Sequence, residues 1–371
     1  MGVKVCLVGL GQFGSQFVAL YRDHPLVDRL AVCDMDEAKL AAAAQQNGLT
    51  ECYRTLDDVC RSDAQAVVLI TQPWLHAEQA IQVMRAGKHV YSAVPPVYGP
   101  DADRLLAQCD ALVRTVRETG QLYMLGETTF FRPEVMYCRQ RAAEGSFGHF
   151  TYGECEYWHD IDSQSSNLRD VDRVRWGSQW GEDKRGAVPM FYPTHATASM
   201  VSVMKTHVLS VSALGYERPD EDWFLRDGYW HNVYGNEIAL YRMANGAVVR
   251  HAELRRIGHP GREGFRLFGT EGCFLWDEGG SHWSTRSGVL PVDPTAAREP
   301  LPAIYADRLG GHGGSHAYLV NEFVTACAEG RQPRINVWEA VRYVAPGIVA
   351  HQSALRDGET LRVPDWGDAP A

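Results

Sequence analysis

Val3-Lys4-Val5-Cys6-Leu7-Val8-Gly9-Leu10-Gly11-Gln12-Phe13-Gly14 is the stretch that decides the fold. Its first half is a short apolar run of the kind that forms a buried strand. Its second half is a G-x-G-x-x-G turn that opens a helix. In that setting Gly9 permits the tight turn and Gly11 lets the backbone approach a pyrophosphate. Gly14 lets the helix pack closely on the strand. The helix N-terminus adds free N–H groups and the positive end of its dipole. The next strand, Leu30 to Cys33, runs into Asp34, twenty residues past Gly14, where an acid accepts hydrogen bonds from ribose hydroxyls. The acid favours NAD over NADP, because a 2′-phosphate would meet Asp34 repulsively and neither Met35 nor Asp36 supplies a cation. Gly9, Gly11, Gln12, Phe13, Gly14 and Asp34 are therefore the candidate cofactor contacts at this end.

The same rhythm continues outward. Helical spacing over 12–22 and 37–46 alternates with the apolar strand Ala66–Thr71. A helix over 75–86 stops at Gly87, strand 89–92 follows, and a long helix over 100–119 leads to strand 122–125. This is a doubly wound parallel sheet, a Rossmann-type α/β domain over residues 1–126, and such sheets bind ligands at the carboxyl ends of their strands. Beyond Glu127 the pattern changes. A helix over 133–144 precedes a long strand, Phe150–Trp158. Strands 237–243 and 247–254 flank Asn245-Gly246, a strong hairpin signal, and strands 265–268 and 273–276 flank a second turn. Strands joined directly to strands imply an α+β domain with an open, mainly antiparallel sheet over residues 127–371. Residues 289–314 read as a long loop, and helices over 316–329 and 337–355 close the chain, the last able to pack back on the first domain.

The chain of 371 residues is too long for one typical core. A net charge of −10 argues against nucleic acid as a partner. Nine cysteines are scattered singly from Cys6 to Cys327 with no metal-type spacing. They read as reduced thiols of a cytoplasmic protein without a metal site. Met1 leads almost at once into a core strand, and no apolar run is long enough to span a bilayer, so neither a signal peptide nor a membrane is expected.

Several segments carry candidate chemistry. Thr71-Gln72-Pro73, with His76 opening the next helix, and Val94-Pro95, after strand 89–92, end central strands where a cofactor wall is expected. A cis peptide before one proline of 95–96 is open. Tyr157 and His159 share a face at the end of the strand Phe150–Trp158. Tyr192-Pro193-Thr194-His195 enters a small-residue helix, and a phenol beside an imidazole can shuttle a proton from a reacting hydroxyl. The glycine-rich stretch Gly310–His316 reads as a loop over a substrate, with His316 a contact, rather than a P-loop.

Together these segments resemble the Gfo/Idh/MocA oxidoreductases over nearly the whole chain. The N-terminal fingerprint, Thr71-x-Pro73-x-x-His76, Ala86-Gly87-Lys88-His89-Val90 and Glu329-Gly330-Arg331-Gln332-Pro333 all match. The resemblance implies a Rossmann domain, a sheet domain whose face forms a sugar pocket, NAD(P)-dependent oxidation of sugars or cyclitols, and dimers or tetramers. The chain departs from the family at Ala93-Val94-Pro95, where Glu-Lys-Pro is usual, so the lysine's role does not carry over to Val94. Phe191 and Pro193 replace the usual Asp and Gly, while His195 falls at the family's histidine position. These departures resemble the NAD-dependent glycosidase branch, the redox-type α-N-acetylgalactosaminidases, which share Val-Pro, Tyr-x-His-Asp (Tyr157 to Asp160) and Tyr-Pro-Thr-His (Tyr192 to His195). That likeness implies His195, Tyr192, Tyr157 and His159 as catalytic, with Glu127, Arg175, Trp176 and His316 as substrate contacts. It implies hydride transfer from a ring carbon, C3, to NAD, with His195 and Tyr192 taking the hydroxyl proton. In a sugar or inositol dehydrogenase the ketone then leaves. In a glycosidase the ketone acidifies C2, the C1 group is eliminated, water adds and C3 is reduced again, with Tyr157 or His159 as C2 base or leaving-group acid. A sulfosugar-cleaving relative would need cations, which Arg169, Arg173 and Arg175 offer beside Trp176 and Trp180. A non-catalytic NAD-binding sensor is disfavoured by the retained Tyr/His constellation.

Overall fold

The computed structural model describes residues 2–164, 167–218 and 220–370. Six parallel strands form the first sheet: β1 (Val3–Val8), β2 (Val27–Cys33), β3 (Cys52–Tyr53), β4 (Ala66–Leu69), β5 (His89–Ser92) and β6 (Tyr123–Leu125). Their spatial order, β3-β2-β1-β4-β5-β6, reverses direction between β1 and β4. The carboxyl ends of those two strands therefore flank a crevice suited to a ligand. Helices α1 (Ser15–Arg22), α2 (Glu37–Asn47), α3 (Leu56–Arg61), α4 (His76–Arg85) and α5 (Ala102–Thr119) make the crossovers. The buried central stretches of the strands, such as Val5–Val8 and Ala66–Leu69, are apolar because both faces are covered. Helix α1 begins at Ser15, three residues later than its spacing predicts, because residues 11–14 remain in the glycine turn.

The second sheet has nine strands in the order β14-β13-β12-β11-β7-β10-β9-β8-β15. They are β7 (Phe150–Trp158), β8 (Val208–Glu217), β9 (Tyr234–Met243), β10 (Val248–Leu254), β11 (Arg262–Gly269), β12 (Cys273–Asp277), β13 (Gly280–Thr285), β14 (Gly288–Pro291) and β15 (Leu361–Arg362). Only β7 and β10 run parallel to each other; the remaining neighbours are antiparallel. The long loop expected over 289–314 is corrected at its start, where β14 pairs with β13 as an edge strand.

Helices α6 (Pro133–Ala143), α7 (Leu168–Trp176), α8 (Thr194–Met204), α9 (Ser315–Glu329) and α10 (Val337–Ala354) complete the chain. Every residue of α8 is buried. It lies directly on β7 because Gly153 has no side chain: a Cβ there would stand 2.7 Å from the Met200 sulfur. The C-terminal helices also tie the two sheets together. His24 meets Asn321 of α9 at 3.2 Å, Gln352 of α10 donates to Asp103 at 2.9 Å, and Leu125 N–H donates to the Ile335 carbonyl. Among the described residues no helix is long and apolar enough to cross a membrane.

Gly347 in α10 meets the turn that carries Tyr192 and His195. A Cβ at this position would lie 2.2 Å from the Met190 carbonyl oxygen and 2.6 Å from Pro193. Gly347→Ala should therefore displace that turn, costing about 1–3 kcal/mol as an overpacking change. Urea unfolding and turnover of the same variant check this, with both stability and kcat expected to fall.

Candidate active site

The glycine turn has the shape that a dinucleotide requires. Gly9 has φ +97°, and a Cβ on it would lie 2.3 Å from the Ile70 carbonyl oxygen at the end of β4. A Cβ on Gly14 would fall 1.9 Å from the Gly9 carbonyl. Around the Cβ position of Gly11, by contrast, nothing lies within 4 Å, so this stretch of backbone is bare on its open side. Gln12 is exposed there, and Phe13 packs edge-on against Phe17. Asp34 accepts hydrogen bonds from Leu10 N–H (2.7 Å) and Asp36 N–H (2.9 Å), which anchors its carboxylate beside the turn. An anionic side chain at the strand end and a Cβ-free backbone fit NAD.

On the far side of the crevice, the Val94–Pro95 peptide is cis. His76 is buried, with Nδ1 2.9 Å from the Pro95 carbonyl and Nε2 3.1 Å from the Thr71 carbonyl. Its expected place as a cofactor contact is corrected: both ring nitrogens face protein carbonyls, so it braces the Thr71–Pro73 and Val94–Pro95 walls. Thr71 itself donates to Gln79 at 2.6 Å.

The chemistry-bearing residues of the second domain converge on one row across its sheet. Cross-strand register sets Glu263 of β11 opposite Tyr157 of β7, Tyr157 opposite Glu253 of β10, and Glu253 opposite Glu237 of β9. Residues in such a row share one face. Each carboxylate in the row has a partner. Glu237 accepts from Met190 N–H (3.0 Å) and meets His351 (2.7 Å). Glu253 meets His251 (2.8 Å) and Arg255 (2.6 Å), and His251 meets the Tyr241 hydroxyl (2.7 Å). Glu263 pairs with Arg132 at 2.7 Å. Arg255 in turn lies over the Tyr157 ring, 4.9 Å from its centroid. Tyr157 hydroxyl and His159 Nδ1 are 2.9 Å apart, as their shared strand face requires.

Tyr192 precedes α8 with a non-helical backbone (φ −125°), so it does not share a helix face with His195. The turn nevertheless brings the rings together: their centroids are 5.5 Å apart, and Tyr157 lies 5.2 Å from His195. His195 Nδ1 is 2.8 Å from Glu127 Oε1. Burial alone would lower the imidazole pKa, but the Glu127 carboxylate outweighs it and raises the value above normal. Burial likewise pushes Glu127 up, and His195 brings it below the usual carboxylate range. Glu127 is fully buried and also accepts from Thr129 N–H (2.9 Å). Glu127, expected as a substrate contact, turns its Oε1 to His195.

A narrow cleft adjoins this group, lined by Tyr98, Tyr157, His159, Leu168, Asp172, Arg175, Tyr192 and Arg255, among others. Arg175 lies over Tyr192, 5.4 Å from the ring centroid. Burial raises the Tyr192 phenol, and Arg175 pulls it back. Asp172, 3.8 Å from Arg175, is pushed up to about 6 by burial, with Arg175 and Arg255 opposing. Of the three arginines expected to supply cations, only Arg175 lines the cleft; Arg169 pairs with Asp162 and Arg173 with Asp170. Trp176 is also corrected, since it stacks on Trp74 of the first domain at 3.9 Å instead of lining the cleft. His316 is buried, stacked on Phe17 at 4.5 Å, and burial lowers it to about 4. Its place as a substrate contact is corrected as well: His312, 3.0 Å from it, is the histidine left on the outside of the loop. Sequence reasoning missed Tyr98, Asp172, Arg255 and Glu263. Asp172 stands one helical turn before Arg175 and could have been paired with it by spacing. The other three depend on tertiary contacts.

Residues 3–127 match the family model described as "Oxidoreductase family, NAD-binding Rossmann fold". Over 98% of its length the chain is 25% identical to a glycosyl hydrolase family 109 protein of Streptomyces niveus, covering 77% of that protein. Its fold is similar to an oxidoreductase domain protein from Kribbella flavida (TM-score 0.78, 18% identity, 98% of this chain and 100% of that one). It is also similar to levoglucosan dehydrogenase solved with NADH and levoglucosan (TM-score 0.76, 20% identity, 98% and 100%). With the glycine turn, Asp34 and the His195–Glu127 pair in place, residues 3–127 carry the NAD-binding Rossmann domain matched by the Gfo/Idh/MocA oxidoreductase family model, and the protein is an NAD-dependent enzyme.

Proposed function

We propose that this enzyme oxidises a ring hydroxyl of a sugar, at C3, as one step of a redox-neutral glycoside hydrolysis. The observation that carries the reading is the His195–Glu127 hydrogen bond, set among Tyr157 and Tyr192 beside an enclosed cleft. Gly9, Gly11, Gln12, Phe13 and Gly14 would hold the cofactor's phosphates and Asp34 its ribose, with Thr71, Pro73, Val94 and Pro95 as walls. NAD, when bound, would supply the hydride acceptor for the C3 oxidation and the hydride source for the C3 reduction. The remaining work falls to protons and positions. Glu127 holds the Nδ1–H of His195, so Nε2 is the lone pair that takes the hydroxyl proton. Tyr192, with its phenol opposed by Arg175, assists at the same hydroxyl. The Tyr157–His159 pair removes the C2 proton as the C1–O bond breaks; the departing oxygen gains a proton, and water adds across the double bond in the reverse sense. Val94 in place of a lysine, and relatives named as glycosyl hydrolases, favour this reading over a dehydrogenase that releases ketone and NADH. The fold likeness to levoglucosan dehydrogenase keeps the second reading in play. The outer face of the second sheet exposes Leu214, Ile238, Leu240 and Val248, which supports a homo-oligomer, a dimer or tetramer.

Four experiments test this reading. A panel of 4-nitrophenyl hexopyranosides and free sugars, followed for aglycone release and for NADH absorbance, should give aglycone without net NADH; stoichiometric NADH would favour the dehydrogenase. His195→Ala should lower kcat by about 10²–10⁴-fold. As a base His195 must be neutral, so kcat/KM should fall as pH drops through its raised pKa, an acid limb above the ordinary value of about 6.5. In Glu127→Gln the carboxylate that raises it is gone while burial persists, so the limb should move to lower pH; an unmoved limb would remove Glu127 from this role. Asp34→Ala should weaken NAD binding about tenfold, measured by titration calorimetry, and narrow the preference for NAD over NADP.

A further inference from the structure

A second basin, of about 300 Å³, opens beside β11. It is lined by Arg132, His259, Arg262, Glu263, Trp276 and Asp277, among others. None of its lining residues comes from the domain that holds the cofactor turn, so it is not part of the cofactor's crevice. It is, however, a direct neighbour of the reacting groups. Glu263 is the cross-strand partner of Tyr157, and the Thr129 hydroxyl, 3.4 Å from Glu263, belongs to the residue whose N–H binds Glu127. Glu263, which lines the basin, therefore stands beside Tyr157, which lines the cleft.

We propose that the basin is the leaving-group subsite of the enzyme and that it binds the hydroxyl-rich ring of a neutral sugar aglycone. The inference rests on the glycosidase reading above. The cleft beside Tyr157 is narrow, so whatever is attached at C1 must leave through a more open space. The basin provides that space and falls within the usual range of ligand pockets. Trp276 contributes a half-buried indole, an apolar platform for the C–H face of a ring. Around it stand polar groups able to fix hydroxyls. Asp277 uses one carboxylate oxygen on Gly279 N–H (2.8 Å), which leaves the other for a ligand. The charges select against an anion. Arg132 is paired with Glu263 (2.7 Å), Arg262 with Glu156 (3.2 Å), and His259 with Glu278 (2.8 Å). With its cations engaged and Asp277 adding negative charge, the basin favours an uncharged, hydrogen-bonding ring.

The test compares two donors carrying the glycone that the panel identifies: its glycosyl fluoride, whose leaving group cannot fill the basin, and a disaccharide with the same glycone. Trp276→Ala should lower kcat/KM for the disaccharide by about tenfold or more, mainly through KM, and leave fluoride release within about twofold. Asp277→Asn, a change that keeps shape, should show the same selectivity and serves if the tryptophan variant does not fold. Equal losses on both donors, or no loss on the disaccharide, overturn the subsite and leave the glycosidase reading standing. A wild-type enzyme that releases fluoride but cleaves no disaccharide also overturns the subsite alone. Failure to cleave either donor, with NADH accumulating from the free sugar, overturns both.

Discussion

The 2.8 Å contact between His195 and Glu127 is the constraint around which the rest of the molecule is arranged. Glu127 follows β6, the last strand of the parallel sheet, and His195 opens α8 on the second sheet. The contact therefore joins the two halves and sets the protonation of the imidazole at once. A buried carboxylate is costly unless it is paired and hydrogen-bonded. The Thr129 N–H and the imidazole both bind Oε1, while Oε2 is buried without a partner among the described residues. Neither residue keeps its role if the domains shift, which is why the surroundings are so rigidly tied. Trp176 stacks on Trp74 across the same boundary, and Gly347 lets α10 press directly on the Met190–Pro193 turn.

The row Glu263–Tyr157–Glu253–Glu237 shows how a sheet can act as a positioning device. Three acids on one buried or half-buried face would repel one another if unpaired. Each is matched to a different element: Arg132 at the start of α6, Arg255 with His251 on β10, and His351 on α10. The matched partners carry the geometry outward, so that Tyr157 is held from both sides and from above by Arg255. The same arrangement puts Tyr157 in the wall of a narrow cleft and its neighbour Glu263 in the wall of an open basin.

Much of the first domain was legible because its rules are local. Strand β1, the glycine turn and Asp34 form a contiguous pattern in which every residue acts through its immediate neighbours. The hairpin at Asn245-Gly246 was legible for the same reason. The site was legible in part. Tyr157 with His159 followed from strand alternation; Tyr192 and His195, three apart and expected to share a helix face, meet through a turn instead. The exceptions have physical causes. His316 and His312 differ only in which ring turns inward onto Phe17, and Trp176 finds its partner about a hundred residues upstream at Trp74. Glu127 was recognised as lying at the site but not as the buried partner of an imidazole 68 residues away.

The sequence by itself determined the dinucleotide-binding turn, the alternation of strands and helices before Glu127, the change to antiparallel strands after it, and the identity of the Tyr/His residues. These depend on backbone sterics and short-range periodicity, which any stretch of chain carries with it. Only the tertiary structure decided which of those residues meet. It gave His195 its carboxylate, selected Arg175 from three arginines, added Asp172, Arg255 and Glu263, and set Tyr157 in a cleft wall beside Glu263 in a basin wall. Strand register and domain packing bring together groups far apart in the chain, and the energy of a buried charge depends on those neighbours rather than on its own position in the sequence.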